Sequence, residues 1–155
     1  MGRDSSYGDE QFRNQVDKNV TFTKGRVFVI MPFSKEEGFE DVYTAIDEEC
    51  LKFGLKAERV DRTYGSGLII RKILNGIEDA EFIIVDLSLE RPNVYYELGY
   101  AHGVGNIESD ILIIAKEGTK LHFDVSPMSV NFYKTTEDLR KILLINLKYM
   151  IETTR

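Results

Sequence analysis

Glu97 stands where an aliphatic side chain is expected. In Asn93-Val94-Tyr95-Tyr96-Glu97-Leu98-Gly99-Tyr100-Ala101-His102, positions 94, 97, 98 and 101 recur at i, i+3, i+4 and i+7, the spacing of a core-facing helical stripe. The acid is therefore turned inward. The run before it, Phe82-Ile83-Ile84-Val85-Asp86, is apolar until it ends in a second carboxylate. Open α/β sheets place ligands at the C-terminal ends of their strands. Two acids delivered to that edge point to acid/base or covalent chemistry. A partly desolvated carboxylate makes a strong nucleophile, and one with a raised pKa serves as a general acid. Each acid also has a structural alternative. Glu97 could bind backbone amides or an arginine such as Arg59, and Asp86 could cap the loop that follows it.

The elements that must position these acids alternate in type. Arg26-Val27-Phe28-Val29-Ile30-Met31 is a continuous apolar run, as expected of a strand covered on both faces. Phe39, Val42, Tyr43, Ile46, Cys50 and Phe53 mark a helix that Gly54 stops. Lys56 to Val60 predicts a second strand. The turn Tyr64-Gly65-Ser66-Gly67, with Ser66 as a cap, precedes a helix whose stripe is Ile69, Ile70, Ile73, Leu74, Ile77 and Ala80. After Asp86, Arg91-Pro92 opens the helix that carries Glu97. Asp110 to Ala115 and Val130 to Tyr133 predict two more strands, and Thr136 to Ile151 a last helix with Leu139, Leu143, Leu147, Met150 and Ile151 inward. The alternation specifies an α/β fold in three layers, a parallel sheet of about five strands with helices on both faces. The strand ends then gather Met31, Pro32, Phe33 and Ser34, next Asp61 and Arg62, and finally Asp86, Leu87 and Ser88.

Composition narrows the class. The chain has 155 residues, 43% apolar and 30% charged, as in an ordinary globular domain. Residues 1–24 are polar without a sustained period and read as a flexible arm; the folded domain is expected over 25–155. A net charge of -6 argues against binding a nucleic-acid polymer, which requires clustered Lys and Arg. A single cysteine, Cys50, on an apolar helical face reads as a small core residue in a reducing compartment. No run reaches the roughly 18 apolar residues of a membrane span, and the opening residues lack a signal peptide's hydrophobic core, so a cytoplasmic protein is expected. Two histidines without clustered partners do not make a metal site.

Four ordered motifs resemble a known superfamily. Val27-Phe28-Val29-Ile30-Met31-Pro32-Phe33, Arg59-Val60-Asp61, Ile84-Val85-Asp86-Leu87-Ser88 and Pro92-Asn93-Val94-Tyr95-Tyr96-Glu97-Leu98-Gly99-Tyr100-Ala101-His102 are similar to segments of nucleoside 2-deoxyribosyltransferase-like and TIR-like domains. The resemblance implies a flavodoxin-like (Rossmann-like) fold and cleavage of the N-glycosidic bond of a nucleoside, nucleotide or NAD. It matches Glu97 to the family's catalytic glutamate, and Asp86 to the aspartate that holds the base or moves a proton. A carboxylate beside C1' can stabilise an oxocarbenium-like state or capture it covalently, as in retaining glycosidases. Phe33 and Tyr96 would stack on the base, and Ser34 or Ser88 would bind hydroxyls or phosphate; Met31, Pro32, Asp61 and Asn93 complete the expected substrate site. No cofactor is implied, NAD entering only as a substrate. A homo-oligomer is expected, with the apolar last helix as its contact.

One position departs from the resemblance. Deoxyribosyltransferases carry a sugar-binding aspartate six residues before the glutamate, where this chain has Arg91. A guanidinium cannot accept a sugar hydroxyl's hydrogen bond but suits a phosphate, which tilts the expected ligand toward a nucleotide or dinucleotide. Two classes of function remain: an N-glycosidic enzyme dependent on Glu97, and a pocket of the same shape that senses a nucleotide without turnover.

Overall fold

A strand with no polar face must be covered on both sides, and every residue from Ala80 to Asp86 is buried. The protein, a computed structural model describing residues 22–32, 38–60, 66–122 and 128–155, is built outward from that strand. In chain order come β1 (Thr23–Ile30), α1 (Phe39–Lys52), β2 (Lys56–Glu58), α2 (Ser66–Asp79), β3 (Ala80–Asp86), α3 (Pro92–Gly103), β4 (Ile111–Lys116), β5 (Val130–Tyr133) and α4 (Thr136–Thr154). The five strands form one sheet in the order β2-β1-β3-β4-β5. All four pairings are parallel, with Val27–Ile30 of β1 beside Phe82–Val85 of β3 and Ile83–Asp86 beside Ile111–Ile114. The alternation of elements predicts the parallel sheet covered on both faces, and the strand order is the flavodoxin-like one that the resemblance implies.

The two-residue period of a strand sorts the core into two layers. Phe82 and Ile84 of β3, with Val27, Val29, Leu112 and Ile114, pack against α1 and α4. Ile83 and Val85, with Phe28, Ile30, Ile111 and Ile113, pack against α2 and α3. The expected inward residues of the last helix, Leu139, Leu143, Leu147 and Met150, are all buried, and Ile151 packs at the margin of the same layer. Cys50 is fully buried, and burial pushes its thiol up to about 12, as suits a core residue. Gly54 takes the left-handed φ of 70° that ends α1. Thr135 caps α4 by accepting the Asp138 backbone N–H at 3.1 Å. No helix among the described residues is long and apolar enough to cross a membrane.

Several expected boundaries move. β1 starts at Thr23 and takes in Lys24, which composition had left to the arm; residues 1–21 lie outside the described residues. Ala80 opens β3 rather than closing a helical stripe, and Ile70 is 51% exposed, so α2 faces the sheet through Ile73 and Ile77. Runs of isoleucine obscure the period because residues one step off the stripe look equally apolar. β2 ends at Glu58, leaving Arg59 and Val60 beyond the last paired residue. Asp110 belongs to a short 3-10 turn, Glu108–Asp110, where its side chain accepts the Ile107 N–H at 2.9 Å, and β4 runs on to Lys116. On α4, Leu144, Ile145 and Tyr149 are exposed on the side away from the core.

α2 approaches β1 closely at one point. A Cβ on Gly76 would overlap the ring of Phe28. Gly76→Ala is expected to lower stability by about 1–3 kcal/mol through overpacking. A urea titration giving an unchanged midpoint would contradict this packing.

Candidate functional site

Val94, Leu98 and Ala101 set α3 against the sheet, and Glu97, on the same stripe, is 3% exposed. Its carboxylate reaches the C-terminal ends of the first two strands. There Glu97, Phe28, Met31, Pro32, Arg59, Val60 and Ile73 line a cavity of about 20 Å³, room for one water molecule. Arg59 directs its guanidinium elsewhere than to Glu97. Nη2 donates to both oxygens of Glu40 at 2.6 and 2.8 Å, Nη1 lies 3.7 Å from the Met31 sulfur, and the guanidinium carbon sits 4.1 Å from the centre of the Tyr43 ring.

Asp86 ends β3 on the other layer. It has no solvent exposure, and its oxygens accept the Ser88 N–H at 2.8 Å and the Tyr133 hydroxyl at 2.7 Å. Ser88, also buried, accepts the Lys116 backbone N–H at 2.8 Å through its hydroxyl, which lies 3.4 Å from that of Tyr133. The loop-capping alternative for Asp86 is therefore what the geometry displays. Burial pushes the Asp86 carboxyl up, while the bonds from Ser88 and Tyr133 and the charge of Lys116 oppose it. Burial, and then the charge of Asp86, hold the Tyr133 hydroxyl well above the usual tyrosine range, so it remains a donor.

The segment between the two acids is tightly turned. Leu89 and Glu90 adopt left-handed conformations, with φ of 68° and 46°, a cost of order 1–3 kcal/mol each in non-glycine residues. Ser88 anchors one side of this turn. On the other, the Tyr95 hydroxyl donates to Glu90 at 3.2 Å, and the Tyr95 ring meets His122 edge-on with centres 4.8 Å apart. Pro92 then starts α3 at its first turn.

The other expected site residues divide clearly. Met31 and Pro32 are buried in the Glu97 cavity. Arg91, Asn93 and Tyr96 are exposed at the start of α3, with Tyr96 at 64%, and they do not line that cavity. Phe33, Ser34 and Asp61, like Tyr64, Gly65, Phe123 and Asp124, lie outside the described residues. Three residues at the sheet edge have no site role in the sequence pattern. Arg59 stands there in a motif and as a possible partner for Glu97, Tyr133 as part of a strand, and Lys116 falls one residue beyond the expected end of β4. Lys116 Nζ sits 4.9 Å over the Phe39 ring. Reading β4 one residue further would have placed it at the strand end.

Comparison with known proteins bears on the fold. No protein-family model matches the chain, and no curated protein matches it in sequence. Among solved structures, the CMP N-glycosidase BcmB of Clostridium botulinum is similar at a TM-score of 0.60 and 16% identity, over 77% of this chain and 98% of that one. A flavoprotein of Thermotoga maritima is similar at a TM-score of 0.63 and 16% identity, over 95% of this chain but 41% of its own length. At these identities the likeness is one of fold: a flavodoxin-like α/β sandwich.

The Asp86 network carries a pH signature. A carboxyl whose folded pKa is raised contributes stability fully below its unfolded value, near pH 3.9, and loses it as pH rises through the folded value. The Tyr133 hydroxyl stabilises the ionised form, so Tyr133→Phe raises that pKa further. Its cost, about 1.5–3 kcal/mol where Asp86 is ionised, should be larger at pH 7.5 than near pH 4, because the hydrogen bond is stronger to the ionised form and the protonated form gains weight as pH falls. Urea unfolding of both proteins at the two pH values checks this; a loss independent of pH would contradict it.

Proposed function

We propose that the protein cleaves the N-glycosidic bond of a nucleoside or nucleotide, with Glu97 acting on the anomeric carbon. The observation that carries this reading is a carboxylate in a core position of α3 that opens on a cavity at the C-terminal edge of β1 and β2. An aliphatic side chain would fill this position without the desolvation cost of an acid, which favours a chemical role for the carboxylate. Similarity in fold to a CMP N-glycosidase, over nearly all of that enzyme's length, supports it.

As the C1'–N bond breaks, positive charge builds on the sugar, and Glu97 stabilises it or bonds to C1'. The base leaves with the electron pair of the C1'–N bond; water then adds to C1', breaking the bond to Glu97 where one has formed, its hydroxyl staying on the sugar and its proton ending on the released base. Glu97 needs no resident cofactor for this step. The sensor reading has one observation in its favour: both oxygens of Asp86 are engaged by Ser88 and Tyr133 rather than offered to a leaving base.

Incubation with CMP, other nucleoside monophosphates, deoxynucleosides and NAD, followed by chromatography of the released bases, tests the proposal. Release from at least one of them is expected. Glu97→Gln should reduce it by roughly 10²–10³-fold or more without shifting the melting temperature by more than a few degrees. Saturable nucleotide binding with no base released would replace the enzyme by the sensor.

A further inference from the structure

We propose that two copies of this chain join edge to edge through β5, merging their sheets about a two-fold axis at Asn131. β5 closes the sheet on one side, and no described strand pairs with its outer edge. Along a strand, successive backbone groups point to opposite sides. The Tyr133 carbonyl accepts the Glu117 N–H, and the register sets Val130 and Asn131 beside Ile113 and Ile114, so Asn131 and Tyr133 bond toward β4. Val130 and Phe132 therefore turn their N–H and C=O groups away from the sheet. Exposed edges are commonly blunted by a charged side chain, a proline or a bulge. Val130-Asn131-Phe132-Tyr133 has no charge and no proline, and its register with β4 is unbroken.

The outward groups complement one another. With the copies antiparallel and the axis at Asn131, Val130 faces the partner's Phe132, and each such pair exchanges two N–H···O bonds. The exposed Phe132 ring then lies beside the partner's Val130, an aromatic and β-branched pair across the strands. Further along, the same register brings Lys134 opposite the partner's Met128. Next to Met128 stands Ser129, whose hydroxyl donates to Glu108 at 3.2 Å. Lys134 and Glu108 are both exposed, so each half of the interface sets a cation against an acid of the other copy.

Backbone bonds from so short a strand would not hold a dimer alone, and apolar surface beside the edge supplies the rest. Asn131 and Tyr149 line one groove of about 1050 Å³ with Ile111, Met128 and Met150. Tyr149 is thus on the β5 side of α4, and Ile145, one turn earlier, shares that flank. Both are exposed. The axis puts the two α4 helices on the same face of the merged sheet, antiparallel, with this flank of each directed at the other. The remaining apolar stripe of α4, Leu139, Leu143, Leu147 and Met150, is buried in the chain's own core and is not free to make the contact.

Sedimentation equilibrium from about 1 to about 200 μM should show a dimer. Phe132→Pro removes an outward N–H while leaving the bonds to β4, a change edge strands tolerate, and should weaken the dimer by roughly 100-fold with an unchanged far-UV dichroism spectrum. Lys134→Glu should weaken it by about 10-fold, and adding Glu108→Lys to that variant should restore it. A chain that stays monomeric over that range overturns the inference, as does a dimer that Phe132→Pro and Lys134→Glu both leave intact. Should the proline variant unfold, the charge exchange decides alone: restoration by the second substitution upholds the β5 register, and failure to restore overturns it. Base release plays no part in these readouts, so the assembly and the glycosidic reading stand or fall separately.

Discussion

A carboxylate with no exposure to water closes the central strand, and the ends of three strands are tied through it. Low dielectric makes an unsatisfied acid costly, and Asp86 is satisfied by the Ser88 N–H and the Tyr133 hydroxyl. Ser88 in turn accepts the Lys116 N–H, so β3, β4 and β5 are joined at their C-terminal edge. The same bonds hold the turn that leads into α3. That turn contains two left-handed residues, Leu89 and Glu90, and it ends where Pro92 starts the helix. The phase of α3 is set by its apolar stripe, Val94, Leu98 and Ala101, and Glu97 on that stripe turns inward with it.

The two acids belong to different layers of one sandwich. Asp86 lies with Phe82 and Ile84 on the side of α1 and α4, where Tyr133 also packs. Glu97 comes from α3 on the opposite side, over Phe28 and the ends of β1 and β2. Their separation assigns them different work, internal anchoring for the first and contact with a cavity for the second. Cations gather at the same edge although the chain carries a net charge of -6. Arg59 and Lys116 each lie against an aromatic ring, Tyr43 and Phe39, which keeps a charged side chain oriented without burying it.

The same sheet order serves proteins with unrelated chemistry, as the likeness to both a CMP N-glycosidase and a flavoprotein makes plain. Fold supplies an edge where strand ends converge; function depends on which side chains the edge receives. In this chain the edge receives Glu97 and Arg59 on one cavity and the buried bonds of Asp86 on the other layer.

Local periodicity carried the fold and part of the site. The strand and helix alternation, the stripe of Val94, Glu97, Leu98 and Ala101, the core placement of Cys50 and the stop at Gly54 are properties of residues a few positions apart, and each was legible in the sequence. Pairing across the sheet was not. Tyr133 meets Asp86 from 47 residues away, and Arg59 reaches Glu40 and Tyr43 rather than Glu97, because register and pleat decide which side chains share a face. The motif likewise holds Arg91 and Tyr96 near Glu97 in sequence, while the structure leaves both exposed, Tyr96 because residues one position apart on a helix do not face each other and Arg91 because it precedes the helix. The sequence by itself determined the elements and the inward acid; the tertiary structure alone decided which charges that acid and its neighbours would meet, because those distances arise only when remote strands are brought side by side.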